Sequence, residues 1–151
     1  YFQGMPGALP TVGGGILSRL PTEDVSTSVL GPPEEGSIWV RAKVLWHGVR
    51  VDFHSVRLGR TGHASDHVLH VAEQIRSKYR NGPLVLVGDF GMPEAETVQP
   101  AATSLVELVR GTGLQEAFGA LAENVSLPLP WSVEESRLRQ DFIFHRGLEL
   151  V

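Results

Sequence analysis

The sequence predicts an α+β domain in which layers of β-sheet pack beneath flanking helices. Three observations predict this class: two alternating runs over residues 37–53, an amphipathic segment over residues 64–79, and a continuous apolar run over residues 84–87. A 42% hydrophobic and 20% charged composition is typical of a globular domain. Residues 5–151 are therefore expected to form a single domain, after a tag-like remnant, Tyr-Phe-Gln-Gly, at residues 1–4.

The N-terminal third is expected to contain little regular structure. Residues 16–18, Ile-Leu-Ser, form a short apolar run that predicts a strand, which Pro21 ends. Residues 22–36 are polar and contain two adjacent prolines, so a surface loop is predicted there.

The middle of the chain has the clearest periodicity. Residues 38–46 and 49–53 alternate around a His-Gly pair, which predicts an antiparallel hairpin. Residues 64–79 have apolar positions three and four apart, which predicts an amphipathic helix with Ser65 as its N-cap. Residues 84–87 are all apolar, as in a strand that is buried on both faces.

The C-terminal third is predicted to contain short elements. Residues 101–110 are expected to form a second helix, and residues 114–121 a further helical turn. Residues 141–144 are expected to form a final strand.

Composition excludes several functions. The chain has no cysteine, which excludes disulfides, thiolate metal sites and cysteine nucleophiles. A Gly-x-Ser-x-Gly motif, which would indicate a serine hydrolase, is absent. No apolar run approaches the roughly 18 residues that span a bilayer. The sequence leaves the compartment open, with a soluble, cytoplasmic protein favoured. A net charge of −4 argues against a protein that coats nucleic acid, although it suits an enzyme whose metal supplies positive charge.

Three residues at predicted strand ends are candidates for chemistry. Asp89 follows the apolar strand, where a carboxylate can ligate Mg²⁺ or take a proton from water, or simply form a turn. His54 ends the hairpin, where it could act as a general acid, although a lone histidine there is more often structural. Asp141 opens the last strand, where it could orient a histidine or a water, or pair with an arginine.

Three histidines of the predicted helix are candidate metal ligands. His63, His67 and His70 are spaced so that they share one helix face, as zinc ligands can. No carboxylate at an obvious spacing completes such a set, so a solvated helix face is favoured.

Four segments also match known motifs in the right order. They are residues 13–21 (GGGILSRLP), residues 51–55 (VDFHS), residues 85–91 (VLVGDFG) and residues 139–144 (RQDFIF). Together they resemble the endonuclease/exonuclease/phosphatase family, which includes pancreatic-type deoxyribonuclease, abasic-site endonucleases, inositol phosphatases and neutral sphingomyelinases.

The resemblance implies a deoxyribonuclease I-like fold, a layered β-sandwich with flanking helices, of which this chain would be the incomplete later part. It implies hydrolysis of a phosphodiester or phosphomonoester with Mg²⁺, nucleic acid being one candidate substrate. Asp89 would position or deprotonate the water and could ligate the metal. His54 would contact the phosphate, and Asp141 would orient a second histidine.

Several groups of the family pattern are missing. Gly91 stands where the family has an asparagine, and neither the metal-binding glutamate nor a terminal Ser-Asp-His motif is present. A rival register places Arg57, rather than His54, at the family's histidine position. The chain is therefore expected to be weakly active or inactive alone, and a non-catalytic interaction module on the same scaffold is the alternative.

Two structural expectations follow from the resemblance. An uncovered sheet face or edge favours self-association, or a partner chain that completes the sheets. The phosphoester hypothesis, as it stands, requires Asp89 and His54 to face one crevice.

Overall fold

A mixed six-stranded sheet covered on one face by a helix is the main feature of the computed structural model, which describes residues 2–4, 13–59, 64–91, 111–117 and 141–149. The strands are β1 (Phe2–Gly4), β2 (Gly13–Gly15), β3 (Thr22–Val29), β4 (Ile38–Trp46), β5 (Val49–Arg57), β6 (Leu84–Asp89), β7 (Gln115–Glu116) and β8 (Asp141–Arg146). The helices are a 3₁₀ turn at Pro33–Glu35 and α1 at Ala64–Lys78.

The order across the large sheet is β3-β4-β5-β6-β8-β7, and only the β5–β6 pair is parallel. Because parallel neighbours need a long crossover, α1 lies between β5 and β6 in the chain. A separate two-stranded sheet pairs β1, in the tag-like segment, with β2. The α+β prediction is therefore confirmed.

The predicted hairpin is confirmed as β4 and β5. Its turn residues His47 and Gly48 have φ angles of 48° and 81°. Positive φ at both central positions is the geometry that suits the right-handed twist of a two-residue hairpin.

The helix prediction is also confirmed. Its apolar stripe, Val68, Val71, Ala72 and Ile75, is buried against the sheet. The helix begins at Ala64, so Ser65 lies inside it and the N-cap prediction is wrong. The core between helix and sheet comprises Leu30, Trp39, Val56, Leu58, Val68, Val71, Ala72, Ile75, Leu84, Leu86, Phe90, Leu114 and Phe144.

Two local predictions are wrong, and a third is wrong in part. Most of the predicted loop at residues 22–36 is the edge strand β3, whose side chains are largely exposed, so no apolar alternation reveals it. The strand predicted at residues 16–18 lies instead at Gly13–Gly15. Of the helical turn predicted at residues 114–121, Gln115–Glu116 instead pair with β8, residue 117 is helical, and residues 118–121 lie outside the described residues. The helix predicted at residues 101–110 lies outside the described residues.

The sheet face opposite α1, called the open face here, is only partly covered. Ile16 packs against Ile38 and Val40 at one side of this face. Farther along the sheet, Val87 and Ile143 are 36% and 49% exposed. The prediction that the apolar run of β6 is buried on both faces is therefore wrong for Val87.

Membrane insertion through a helix finds no support in the described part of the chain, where no helix is long and apolar enough to cross a bilayer.

Candidate functional site

Two of the three predicted site residues, Asp89 and Asp141, lie side by side where the central strands β6 and β8 meet at one end. Asp89 pairs directly with Asp141 in the β6–β8 ladder, and Arg57 pairs with Asp89 in the β5–β6 ladder. Directly paired residues project from the same face, with Cα atoms about 5 Å apart. Arg57, Asp89 and Asp141 therefore form one row on the open face, called the strand-end row here.

Local hydrogen bonds fix two members of this row. The carboxylate Oδ1 of Asp89 accepts the N–H of Gly91 at 2.8 Å, and its carbonyl accepts the N–H of Leu58 at 2.8 Å. The guanidinium Nη1 of Arg57 donates to the carbonyl of Gly36 at 3.1 Å. Asp89 is half-buried, whereas Arg57 and Asp141 are exposed, so the row can be reached from solvent.

The row brings like and unlike charges together. Two carboxylates on adjacent strands repel each other, and a neighbouring guanidinium or a bound cation relieves that repulsion. Carboxylates are also the protein ligands that Mg²⁺ prefers, generally one or two of them together with waters and substrate phosphate. Within the described ranges, no group of three or more metal-ligating side chains is found, so Asp89 and Asp141 are at most a partial metal site there.

The structure does not bring His54 to this row. His54 lies three residues before Arg57, and an odd separation along a strand places two side chains on opposite faces. Its register partners are Arg41 and Leu86, on the face that α1 covers. The expectation that His54 and Asp89 share one crevice is therefore wrong, and the phosphoester hypothesis fails in the form that pairs these two residues.

His54 is instead enclosed among aromatic side chains. It is 0% exposed, and the indole N–H of Trp39 donates to its Nδ1 at 3.1 Å. The ring of Tyr79 meets it edge-on at a centroid distance of 4.9 Å. Burial, together with the positive charges of Arg41 and Arg146, lowers the pKa of His54 to about 3. Accepting the indole N–H requires the neutral ring, so geometry and charge agree.

Gly91, which the motif resemblance sets against an asparagine, is closely confined by neighbouring backbone. Its φ is +64°, and a Cβ atom there would lie 2.4 Å from the carbonyl oxygen of Leu58 and 2.8 Å from that of Gly59. Gly59 is equally confined, because a Cβ on it would lie 1.8 Å from the carbonyl oxygen of Glu35. The absence of a side chain at residue 91 is therefore part of how these two loops pack.

A buried polar cluster supports the same loops, and the sequence did not predict it. The hydroxyl of Ser37 accepts the N–H of Gly59 at 2.8 Å and lies 3.2 Å from Nδ1 of His67. The Nε2 of His67 lies 3.7 Å from Oε2 of Glu35. His67 is 9% exposed, so the prediction of a solvated helix face is wrong for this residue. His70 is exposed, and His63 lies outside the described residues. The sequence signal for His67 was its position beside Val68 and four residues before Val71, at the border of the apolar stripe.

Comparisons with known proteins agree with the architecture. The catalytic domain of human Nocturnin is similar over 85% of this chain and 49% of its own, with 15% identity and a TM-score of 0.60. TDP2 from D. rerio is similar over 85% of this chain and 54% of its own, with 14% identity and a TM-score of 0.60. TDP2 from Caenorhabditis elegans matches with 12% identity and a TM-score of 0.57, over 85% of this chain and 54% of its own.

These similarities concern structure, since no family model and no curated protein matches the sequence. The chain spans about half the length of the solved structures that it resembles. The resemblance inferred from the four motifs is thus confirmed at the level of the fold: the chain has the deoxyribonuclease I-like fold of the endonuclease/exonuclease/phosphatase proteins, over about half of their length.

Proposed function

We propose that the strand-end row is part of a divalent-metal-dependent phosphoester hydrolase site. The observation that carries this proposal is the direct pairing of Asp89 with Asp141 beside Arg57, at the solvent-accessible edge of a deoxyribonuclease I-like sheet. In this site Arg57 has the place of the histidine, as in the rival register of the motif, and His54 has no role.

Each residue of the row has a role that its chemistry suits. Asp89, held by the Gly91 N–H, would ligate Mg²⁺ or position the attacking water. Arg57 would donate to the phosphate oxygens, for which a guanidinium has matching geometry. Asp141 would orient a water or a further side chain next to Asp89. When bound, Mg²⁺ would supply Lewis-acid polarisation of a phosphoryl oxygen.

Single-stranded nucleic acid is the substrate class that we would test first. The D. rerio TDP2 structure holds a single-strand DNA product, and the human Nocturnin structure holds a sulfate anion. Both ligands carry tetrahedral oxyanions, to which the guanidinium of Arg57 could donate hydrogen bonds. A small phosphomonoester is the second class, and the same assay distinguishes the two.

Replacing Asp89 is expected to reduce hydrolysis strongly. The full chain would be assayed with Mg²⁺ against single-stranded DNA and against a chromogenic phosphodiester, and the wild-type rate is expected to be low. Asp89→Asn should lower kcat/KM by at least about 100-fold, because a metal or water ligand is lost. Arg57→Gln should have a smaller effect, of about tenfold, since one phosphate contact is removed.

Glu73→Gln is the matched control, because it removes an exposed carboxylate from α1 without touching the row. Chelation of the metal should abolish the wild-type rate and leave only background. Equal rates for wild type, Asp89→Asn and Glu73→Gln would contradict the catalytic proposal.

A non-catalytic interaction module is the second candidate function. Gly91 favours it, because the asparagine amide is missing, and so does the lack of a third metal ligand among the described residues. The exposed apolar residues on the open face, Val87 and Ile143, would then contact a second copy or a partner chain that completes the sheets.

Self-association through the open face can be tested directly. Sedimentation velocity is expected to show a concentration-dependent dimer that Ile143→Asn weakens, because that side chain is 49% exposed and apolar. Leu69→Asn, at a 41% exposed apolar position on α1, is the control and should leave the dimer unchanged. A monomer at all concentrations would exclude a second copy as the partner.

A further inference from the structure

A polar cleft lies between the edge strand β3 and helix α1, on the face opposite the strand-end row. It has a volume of about 390 Å³. Its polar lining comes from Ser26 and Ser28 of β3, Arg41 of β4, and His70, Gln74 and Lys78 of α1. These side chains are hydrogen-bond donors, and none of the described residues that line the cleft is a carboxylate.

The spacing of these residues explains why they converge. His70, Gln74 and Lys78 are four residues apart, so they lie along one stripe of α1. Ser26 and Ser28 are two residues apart, so they project from the same face of β3, and they pair with Arg41 and Trp39 in β4. A helix stripe and a strand face therefore meet with donors on both sides.

Arg41 is held in place at the base of the cleft. Its Nη1 donates to the hydroxyl of Tyr79 at 2.6 Å, and its guanidinium carbon lies 4.6 Å from the centre of that ring. The Arg41 side chain is 17% exposed, and its Nε is buried with no hydrogen-bond partner among the described residues. The cation is thus oriented before any ligand arrives, which reduces the entropy lost on binding.

Lys78 keeps the cleft net positive, although the carboxylates near Arg41 balance the charges of Arg41 and Lys43. Asp24 lies 2.7 Å from Nζ of Lys43 but 3.8 Å from Arg41, so it is mainly the partner of Lys43. Asp52 lies 3.6 Å from Nε of Arg41. Two cations and two anions therefore balance, and Lys78 adds a positive charge that has no ion-pair partner among the described residues.

We propose that this cleft binds a phosphate group, either inorganic phosphate or the phosphate of a small monoester. A compact tetrahedral anion with several acceptor oxygens suits a guanidinium, an ammonium, two hydroxyls, an amide and an imidazole arranged around one space. The site is separate from the strand-end row, because Arg41 projects from the α1 face and Asp89 from the open face. It does not depend on hydrolytic activity.

The test is a titration of the full chain with inorganic phosphate, followed by ¹H–¹⁵N NMR at constant ionic strength. Saturable shifts are expected at residues 26, 28, 70, 74 and 78. Lys78→Gln should weaken binding by about tenfold, because one charge-assisted hydrogen bond is lost. Arg80→Gln is the matched control, since it removes the same charge two residues beyond the end of α1 and is not among the residues that line the cleft. It should change the affinity by less than about twofold.

Three results would overturn the proposal. Shifts that do not saturate, or that chloride reproduces at the same ionic strength, would show only general charge attraction. Equal weakening by Lys78→Gln and Arg80→Gln would show the same. Loss of binding in Asp89→Asn would place the phosphate at the strand-end row instead, whereas unchanged binding in a variant that has lost hydrolysis separates the two sites.

Discussion

Lowering the pH from 7 to 4 is expected to reduce the free energy of unfolding by about 3 kcal/mol through His54 alone. Burial lowers the pKa of this ring from its ordinary value of 6.5 to about 3. Between those two values the unfolded chain binds a proton that the folded protein excludes. Each pH unit in that interval costs about 1.4 kcal/mol.

The sign follows from the direction of the shift. Because the folded pKa of His54 lies below the unfolded one, its contribution is fully present above pH 6.5. It is lost as the pH falls towards 3. Protonation of His54 at Nδ1 would also remove the acceptor of the hydrogen bond that the Trp39 indole N–H donates.

Urea unfolding of wild type and His54→Gln at several pH values measures this contribution. Other carboxylates and histidines titrate in both proteins, so the difference between the two curves isolates His54. The variant is expected to be less stable at pH 7 but to lose less stability towards pH 4. Parallel curves would show that His54 titrates normally and is not enclosed as described.

Gly88→Ala is expected to lower the free energy of unfolding by about 3 kcal/mol or more. Gly88 has a φ of +146°, a conformation that is essentially restricted to glycine. A Cβ atom there would lie 1.8 Å from the carbonyl oxygen of Val56, which is backbone of the adjacent strand. To remove this clash, β5 and β6 would have to separate in the middle of the sheet.

Gly48→Ala is the matched control for that substitution. Gly48 also has a positive φ, +81°, but nothing lies within 4 Å of its Cβ position. Its loss should be limited to backbone strain, about 1–2 kcal/mol. Chemical denaturation of both variants tests the comparison, and similar losses at the two sites would mean that the Val56 contact is not a constraint.

The elements that the sequence predicts correctly are those whose buried face produces a regular spacing of apolar residues. The hairpin, α1, and the strands containing Leu86 and Phe144 each bury one face or more, so their apolar residues recur at spacings of two or of three and four. Strand β3 was missed because its side chains are largely exposed at the sheet edge, and only backbone bonding to β4 defines it.

The site was harder to predict because it depends on register. That Asp89 closes one strand and Asp141 opens another could be inferred from local pattern and motif, but not that the two strands are neighbours. Whether His54 or Arg57 lies beside Asp89 depends on the register between β5 and β6. These strands are joined through α1, and no short-range sequence pattern specifies their register. A shift of one residue moves a side chain to the other face, so a motif match that is off by three residues selects the wrong face.

The packing around Gly91 prevents a simple replacement of this residue by asparagine. A side chain on residue 91 needs Leu58 and Gly59 to retreat, but the backbone of Gly59 already abuts Glu35 and donates its N–H to Ser37. Introducing an asparagine amide at residue 91 therefore requires coupled changes in three segments rather than a single substitution. The backbone at Leu58 and Gly59 would have to take a different course.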